Sequence, residues 1–98
     1  MDAVARLSRR RYGESKGSHA HDHFQLLWGW QGALELEIEG RGTRMTAGRL
    51  AVIAPGDRHD FWSAGGSTCF VLDADDTASP VLAALAGRVL DADGSALH

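Results

Sequence analysis

The run Ala33-Leu34-Glu35-Leu36-Glu37-Ile38-Glu39 alternates apolar with acidic residues and breaks at Gly40-Arg41-Gly42. A period of two belongs to a strand with one face buried and one in water. The glycines at the break permit the positive φ of a hairpin turn. A helix would scatter these apolar residues around its circumference, so this stretch is committed to antiparallel β structure.

The neighbouring sequence repeats the theme. Residues 4–12, 19–30, 43–46, 50–54, 59–63 and 68–72 read as short strands. They are separated by a polar loop at 13–18, by Gln31-Gly32 and Ala47-Gly48, by the Pro55-Gly56-Asp57 turn and by Ala64-Gly65-Gly66-Ser67. Strands this short and turns this frequent exclude a βαβ fold and indicate an all-β sandwich or barrel. With 98 residues the chain forms one domain, small enough to benefit from a partner subunit.

The character changes after residue 74. Residues 75–78 are polar. Ser79-Pro80 then provides an N-cap and a first helical residue, leading into Val81-Leu82-Ala83-Ala84-Leu85-Ala86 and a stop at Gly87. A helix of about two turns does not persist alone in water, so it packs on the barrel or on a partner, or leads onward. Residues 88–94 read equally as strand or linker. The expected organisation is a β-barrel over 1–74 and a C-terminal segment over 75–98, serving as dimer contact or linker.

A formal charge of −3 gives no reason to expect nucleic acid or an anionic membrane as a direct partner. Arg6 and Arg9-Arg10-Arg11 form a local exception. They read as the solvated face of an edge strand, blunted by charge, in preference to a nucleic-acid contact. The single Cys69 excludes an intrachain disulfide and reads as a small buried hydrophobe. Without a basic-then-apolar leader or an apolar run near 18 residues, the expected location is the cytoplasm and no membrane contact is expected.

Chemistry concentrates in His19-x-His21-x-x-x-Gln25 and, after the Pro-Gly turn, His59. If residues 19–30 form one strand, alternation places His19, His21, His23, Gln25 and Leu27 on one face. Phe24, Leu26, Trp28 and Trp30 then share the other. The economical arrangement turns the His/Gln face into the barrel lumen and the tryptophan face toward a second layer or another subunit; Trp28 and Trp30 are therefore the expected homodimer interface.

Imidazoles suit first-row divalent ions, and His19 and His21 reach one ion together with His59. Gln25 contributes an amide oxygen in place of a carboxylate, leaving a site charge near +2 that favours an anionic ligand. His23 and Leu27 are expected to line the pocket. The expected metal is Zn, Ni, Fe or Mn; without one, the same groups form a polar pocket for a small effector. Asp57, Arg58 and Asp60 read as turn and surface groups, and Glu35, Glu37 and Glu39 as the solvent face of their strand.

These motifs resemble those of the cupin superfamily. Its first motif has two His one residue apart, a Glu four positions on and a Gly seven beyond; here those places hold His19, His21, Gln25 and Gly32. Its second motif is matched by Gly48, Ala54-Pro55-Gly56-Asp57-Arg58-His59 and Ser63, with Ala54 replacing a Pro and Ser63 an Asn. The implied fold is a small antiparallel double-stranded β-helix, or jelly-roll, barrel with a short C-terminal helix.

Within that superfamily, His-x-His-x-x-x-Gln-Leu-Leu-Trp and Ala51-Val52-Ile53-Ala54-Pro55-Gly56-Asp57-Arg58-His59 are most similar to the N-terminal effector-binding and dimerisation domain of AraC-type transcription regulators. The resemblance implies a sensor of a small molecule or metal, with DNA contacted by a helix-turn-helix region that this sequence lacks. Residues from Ser79 onward would carry the ligand signal. The rival reading is a stand-alone metal-dependent cupin enzyme of dioxygenase or isomerase type.

Overall fold

A computed structural model describes residues 5–15, 17–75 and 80–91. The elements run β1 (Ala5–Tyr12), β2 (Phe24–Gln31), β3 (Leu34–Ile38), β4 (Arg41–Met45), β5 (Leu50–Ile53), β6 (His59–Trp62), β7 (Ser67–Ala74), α1 (Pro80–Ala84) and β8 (Val89–Leu90). They form a five-stranded sheet in the order β1-β7-β2-β5-β8 and a three-stranded sheet in the order β4-β3-β6. Every pairing is antiparallel.

The acidic-alternating run supplies the centre of the smaller sheet. Leu34, Leu36 and Ile38 face inward and are almost fully buried, joined by Leu27 from β2, Met45 from β4, Ala51 and Ile53 from β5, Cys69 and Val71 from β7, and Val89 from β8. The hairpin turn falls one residue earlier than the sequence suggested. Glu39 (φ 49°) and Gly40 (φ 80°) are the two central residues, and Gly42 lies within β4. Two consecutive positive φ values match a turn whose twist suits the strands it joins.

A second apolar layer covers the outside of the larger sheet. Phe24, Val52 and Ala74 are buried there beneath Leu82 and Leu85 of the helical segment, with Leu26 and Leu50 alongside. This explains why β5 reads as an unbroken apolar run: Ala51 and Ile53 face the lumen while Val52 lies under the helix. Leu82 and Leu85 are three residues apart and so share one helix face. The helix is shorter than expected, ending at Ala84; a turn over residues 85–87 closes it at Gly87 (φ 74°), and β8 follows onto β5. Residues 80–91 are thus integral to the barrel: the Gly87 N–H donates to the Val52 carbonyl and the Val52 N–H to the Arg88 carbonyl. Ser79, the expected N-cap, and most of the polar break before it lie outside the described residues.

Residues 19–30 do not form one continuous strand. β2 begins at Phe24, and His19 makes an isolated bridge to His59 with reciprocal backbone bonds of 2.9 and 2.8 Å. The His21 carbonyl accepts from the Gly56 N–H at 2.8 Å. The chain therefore crosses from the second-motif turn into the larger sheet, and in doing so ties the two sheets together at one end of the barrel. That crossing is what interrupts the strand.

Candidate functional site

The cavity at this end, about 610 Å³, is lined by His19, His21, Gln25, Leu27 and His59, by Leu36 and Phe61, and by Arg10, Tyr12 and Glu14 from β1 and the loop after it. Ligand clefts commonly span about 300–1,000 Å³. The strand parity expected from the sequence holds for Gln25 and Leu27, which face the lumen, and His19 and His21 join them from the crossover segment.

The three imidazoles converge. Ring centroids are 4.1 Å apart for His19–His59, 4.9 Å for His19–His21 and 5.1 Å for His21–His59. One ring nitrogen from each lies within 4.8 Å of the other two. Backbone carbonyls set the proton positions. His59 Nδ1 lies 3.2 Å from the Asp57 carbonyl and His19 Nδ1 lies 3.3 Å from the Gly17 carbonyl. A carbonyl can only accept, so both Nδ1 atoms carry the proton and both Nε2 atoms keep a lone pair. Such pinning of the far nitrogen is characteristic of metal-binding histidines.

His59 Nε2 is buried and has no hydrogen-bond partner among the described residues. A buried polar atom left unmatched is costly unless something occupies the space before it. Burial lowers the pKa of His59, only partly offset by its bond to the Asp57 backbone; burial and the neighbouring His19 and His23 also lower that of His21. Both shifts favour the neutral, metal-competent imidazole. This donor set fits a divalent first-row ion.

His23 is not part of this trio and does not line its cavity. It stacks on His21 at 5.0 Å and lines an adjoining cleft of about 500 Å³ with Gln25, Arg10 and Asp73. Asp73 is the residue that sequence reasoning missed. Its Oδ1 accepts from His23 Nε2 and Gln25 Nε2, both at 2.9 Å, and its Oδ2 from Arg10 Nη2 at 2.7 Å. Partial burial would raise its pKa, but the bonds from Gln25 and His23 and the Arg10 charge outweigh it, and the net shift is downward. Since a carboxylate only accepts, Gln25 must turn its NH₂ to Asp73; its amide oxygen is the group left to offer the cavity. Nothing in the motif spacing signals Asp73, which is found only through the register Gln25↔Asp73 between β2 and β7.

Trp28 and Trp30 lie on the opposite face of β2, 46% and 54% exposed. Trp30 meets Phe70 edge-on at 5.3 Å. Trp28 borders an apolar groove with Leu7, Leu26, Leu50, Phe70 and Leu72. The helical segment covers only the neighbouring half of this sheet face, so Trp28 and Trp30 remain uncovered within the described chain. Strand β1 is the sheet edge, as its arginines suggested, and Arg10 has the further role of binding Asp73.

A two-sheet antiparallel barrel, with His-x-His on one wall and a third His after a Pro-Gly turn on the other, defines a cupin domain. A cupin protein from Bacteroides fragilis matches at TM-score 0.69, with 16% identity over 79% of this chain and 70% of that one. KdgF from Halomonas sp. matches at TM-score 0.62, with 25% identity over 70% of this chain and 68% of that one. Residues 3–74 match the family model described as the AraC-like ligand binding domain, and the chain belongs to that family. It is also 33% identical over 75 residues to an uncharacterised HTH-type transcriptional regulator, YobQ, of Bacillus subtilis (strain 168). That match covers 74% of this chain and 31% of the regulator, so the chain spans about a third of its curated relative. No helix among the described residues is long and apolar enough to cross a membrane.

Proposed function

We propose that this AraC-like cupin domain is the effector sensor of a cytoplasmic transcription regulator, taking its signal in the barrel cavity. The observation that carries this reading is the three-histidine cluster facing a cavity, with His59 Nε2 buried and unmatched. His19, His21 and His59 would hold a divalent ion, with the Gln25 oxygen as a fourth donor. When bound, the ion supplies a Lewis-acidic anchor for an effector group. The chain's own residues orient that anchor: the Asp57 and Gly17 carbonyls fix the imidazole tautomers, Asp73 fixes the Gln25 amide, and Leu27, Leu36 and Phe61 exclude water from the inner end.

The uncovered face around Trp28 and Trp30 is proposed as the homodimer contact. Burying such aromatic surface contributes roughly 25 cal/mol per Å². DNA would be contacted by a helix-turn-helix region elsewhere in a longer chain, as the regulator relative suggests. Ligand occupancy would bias β2, which carries Gln25 and Leu27, then its neighbour β5 and, through the bonds of Val52 to Gly87 and Arg88, the C-terminal segment.

The test is metal analysis of the purified protein together with amide hydrogen exchange, with and without added Zn²⁺ or Ni²⁺. Near-stoichiometric metal and altered protection across residues 80–91 are expected. Unchanged protection there on saturation would remove the relay, and failure to retain any divalent ion would remove the metal centre.

A further inference from the structure

We infer that the effector is a small carboxylate with a compact apolar body, its head docked between the three-histidine centre and Arg10; this rests on the metal reading above. Charge balance is the first reason. Three neutral imidazoles and an amide oxygen leave the +2 of a bound ion uncancelled, and a charge withdrawn from water must be compensated. A neutral polyol could satisfy hydrogen bonds at such a centre but not its charge.

Asp73, in the adjoining cleft, cannot serve as that counter-ion. Asp73 already takes His23 and Gln25 on one oxygen and Arg10 on the other. Glu14, which lines the cavity, is exposed to water, and Asp60 lines a separate cleft on the smaller sheet, where it accepts from the Ser15 hydroxyl at 2.6 Å. The counter-charge must therefore arrive with the ligand.

Arg10 provides the second reason. It lines the same cavity as His19 and His21, and its guanidinium donates from Nη2 to Asp73 and from Nε to Ser8 Oγ at 3.1 Å. A guanidinium carries five N–H donors, so Arg10 can hold Asp73 and still donate to a second carboxylate. Part of the cavity wall is apolar: Leu27 and Leu36 are buried, and Phe61 meets the Tyr12 ring edge-on at 4.5 Å. Histidines and a guanidinium beside apolar side chains in one cavity suit a carboxylate head on a small hydrocarbon or aromatic body.

The experiment uses Co²⁺-loaded protein, whose visible absorption reports on the ion's ligands. It is titrated with acetate, butyrate, cyclohexanecarboxylate and benzoate, each beside its uncharged amide. At least one of the three larger acids should perturb the Co²⁺ bands and bind at least tenfold more tightly than its amide and than acetate. EDTA should abolish that binding. Arg10→Gln should weaken the acid at least tenfold and leave the amide unchanged, with Arg10→Lys recovering part of the loss; Co²⁺ uptake and thermal melts verify that both variants are folded. Equal binding of acid and amide, acid binding that survives EDTA, or Co²⁺ bands indifferent to every acid would overturn the inference while leaving the metal centre standing. Failure to load Co²⁺ would instead remove the metal reading and this inference with it.

Discussion

His59 Nδ1 lies 3.2 Å from the carbonyl oxygen of Asp57, two residues earlier in the turn that ends β5. The contact is entirely local, yet it decides that the lone pair of this imidazole resides on the buried Nε2. The turn residues therefore shape the chain and also set the chemical state of the ligand that follows them.

Removing that ligand should be sharper in binding than in folding. His59→Ala is expected to cut divalent-metal retention at least tenfold, read as bound Zn²⁺ per chain after dialysis. Its thermal midpoint without metal should stay within several degrees of wild type, because the substitution also deletes an unmatched buried nitrogen. Equal Zn²⁺ retention in wild type and variant would contradict the proposed centre.

Tyr12 is the only tyrosine, and burial pushes its phenol up to about 12. The ordinary value is 10.0, so the folded state favours the neutral phenol. Its contribution to stability is complete below pH 10 and is lost as pH rises toward 12. Absorbance at 295 nm should show no phenolate in folded protein at pH 10, while denatured protein should be about half ionised. The buried Cys69 thiol, raised to about 11, should likewise resist thiol reagents at pH 8 until the protein unfolds.

The tryptophan face gives a prediction in assembly. Trp28→Arg should leave the melt and metal uptake of the monomer intact but weaken self-association by roughly 30-fold, the equivalent of about 2 kcal/mol at an interface hot spot. Sedimentation velocity across a concentration series measures it. An unchanged dimer, or a wild-type protein that stays monomeric at high concentration, would discard the interface.

Gly29 marks a point of close approach. A Cβ there would lie 2.1 Å from the Thr46 carbonyl oxygen and 2.7 Å from its carbon, both backbone atoms. Gly29→Ala must displace β2 from the connection between β4 and β5 and should destabilise by about 1–3 kcal/mol, measured by urea unfolding. Gly42→Ala meets nothing within 4 Å and serves as the mild control.

Strand alternation made the fold legible where local periodicity and burial agree, as at Leu34, Leu36 and Ile38. It also placed Gln25 and Leu27 in the lumen correctly, although the strand carrying them starts at Phe24. The backbone between His19 and His23 leaves the strand to bridge the two sheets, and no local propensity reports such a crossing. Glu39 in a left-handed turn position went unread because side chains other than glycine rarely adopt it. Asp73 was hidden for a different reason. Its meaning lies in cross-strand pairing with Gln25, 48 residues away, and an acidic residue near a strand end looks like ordinary punctuation.

Strand β5 is a shared beam. One edge carries β2, with Ile53 opposite Gln25, and the other carries β8, with Ala51 opposite Val89. Because a single four-residue span serves both neighbours, a shift of β2 at the cavity wall has only this span to pass through before reaching residues 87–90. Those residues therefore sit one strand away from the strand that carries Gln25.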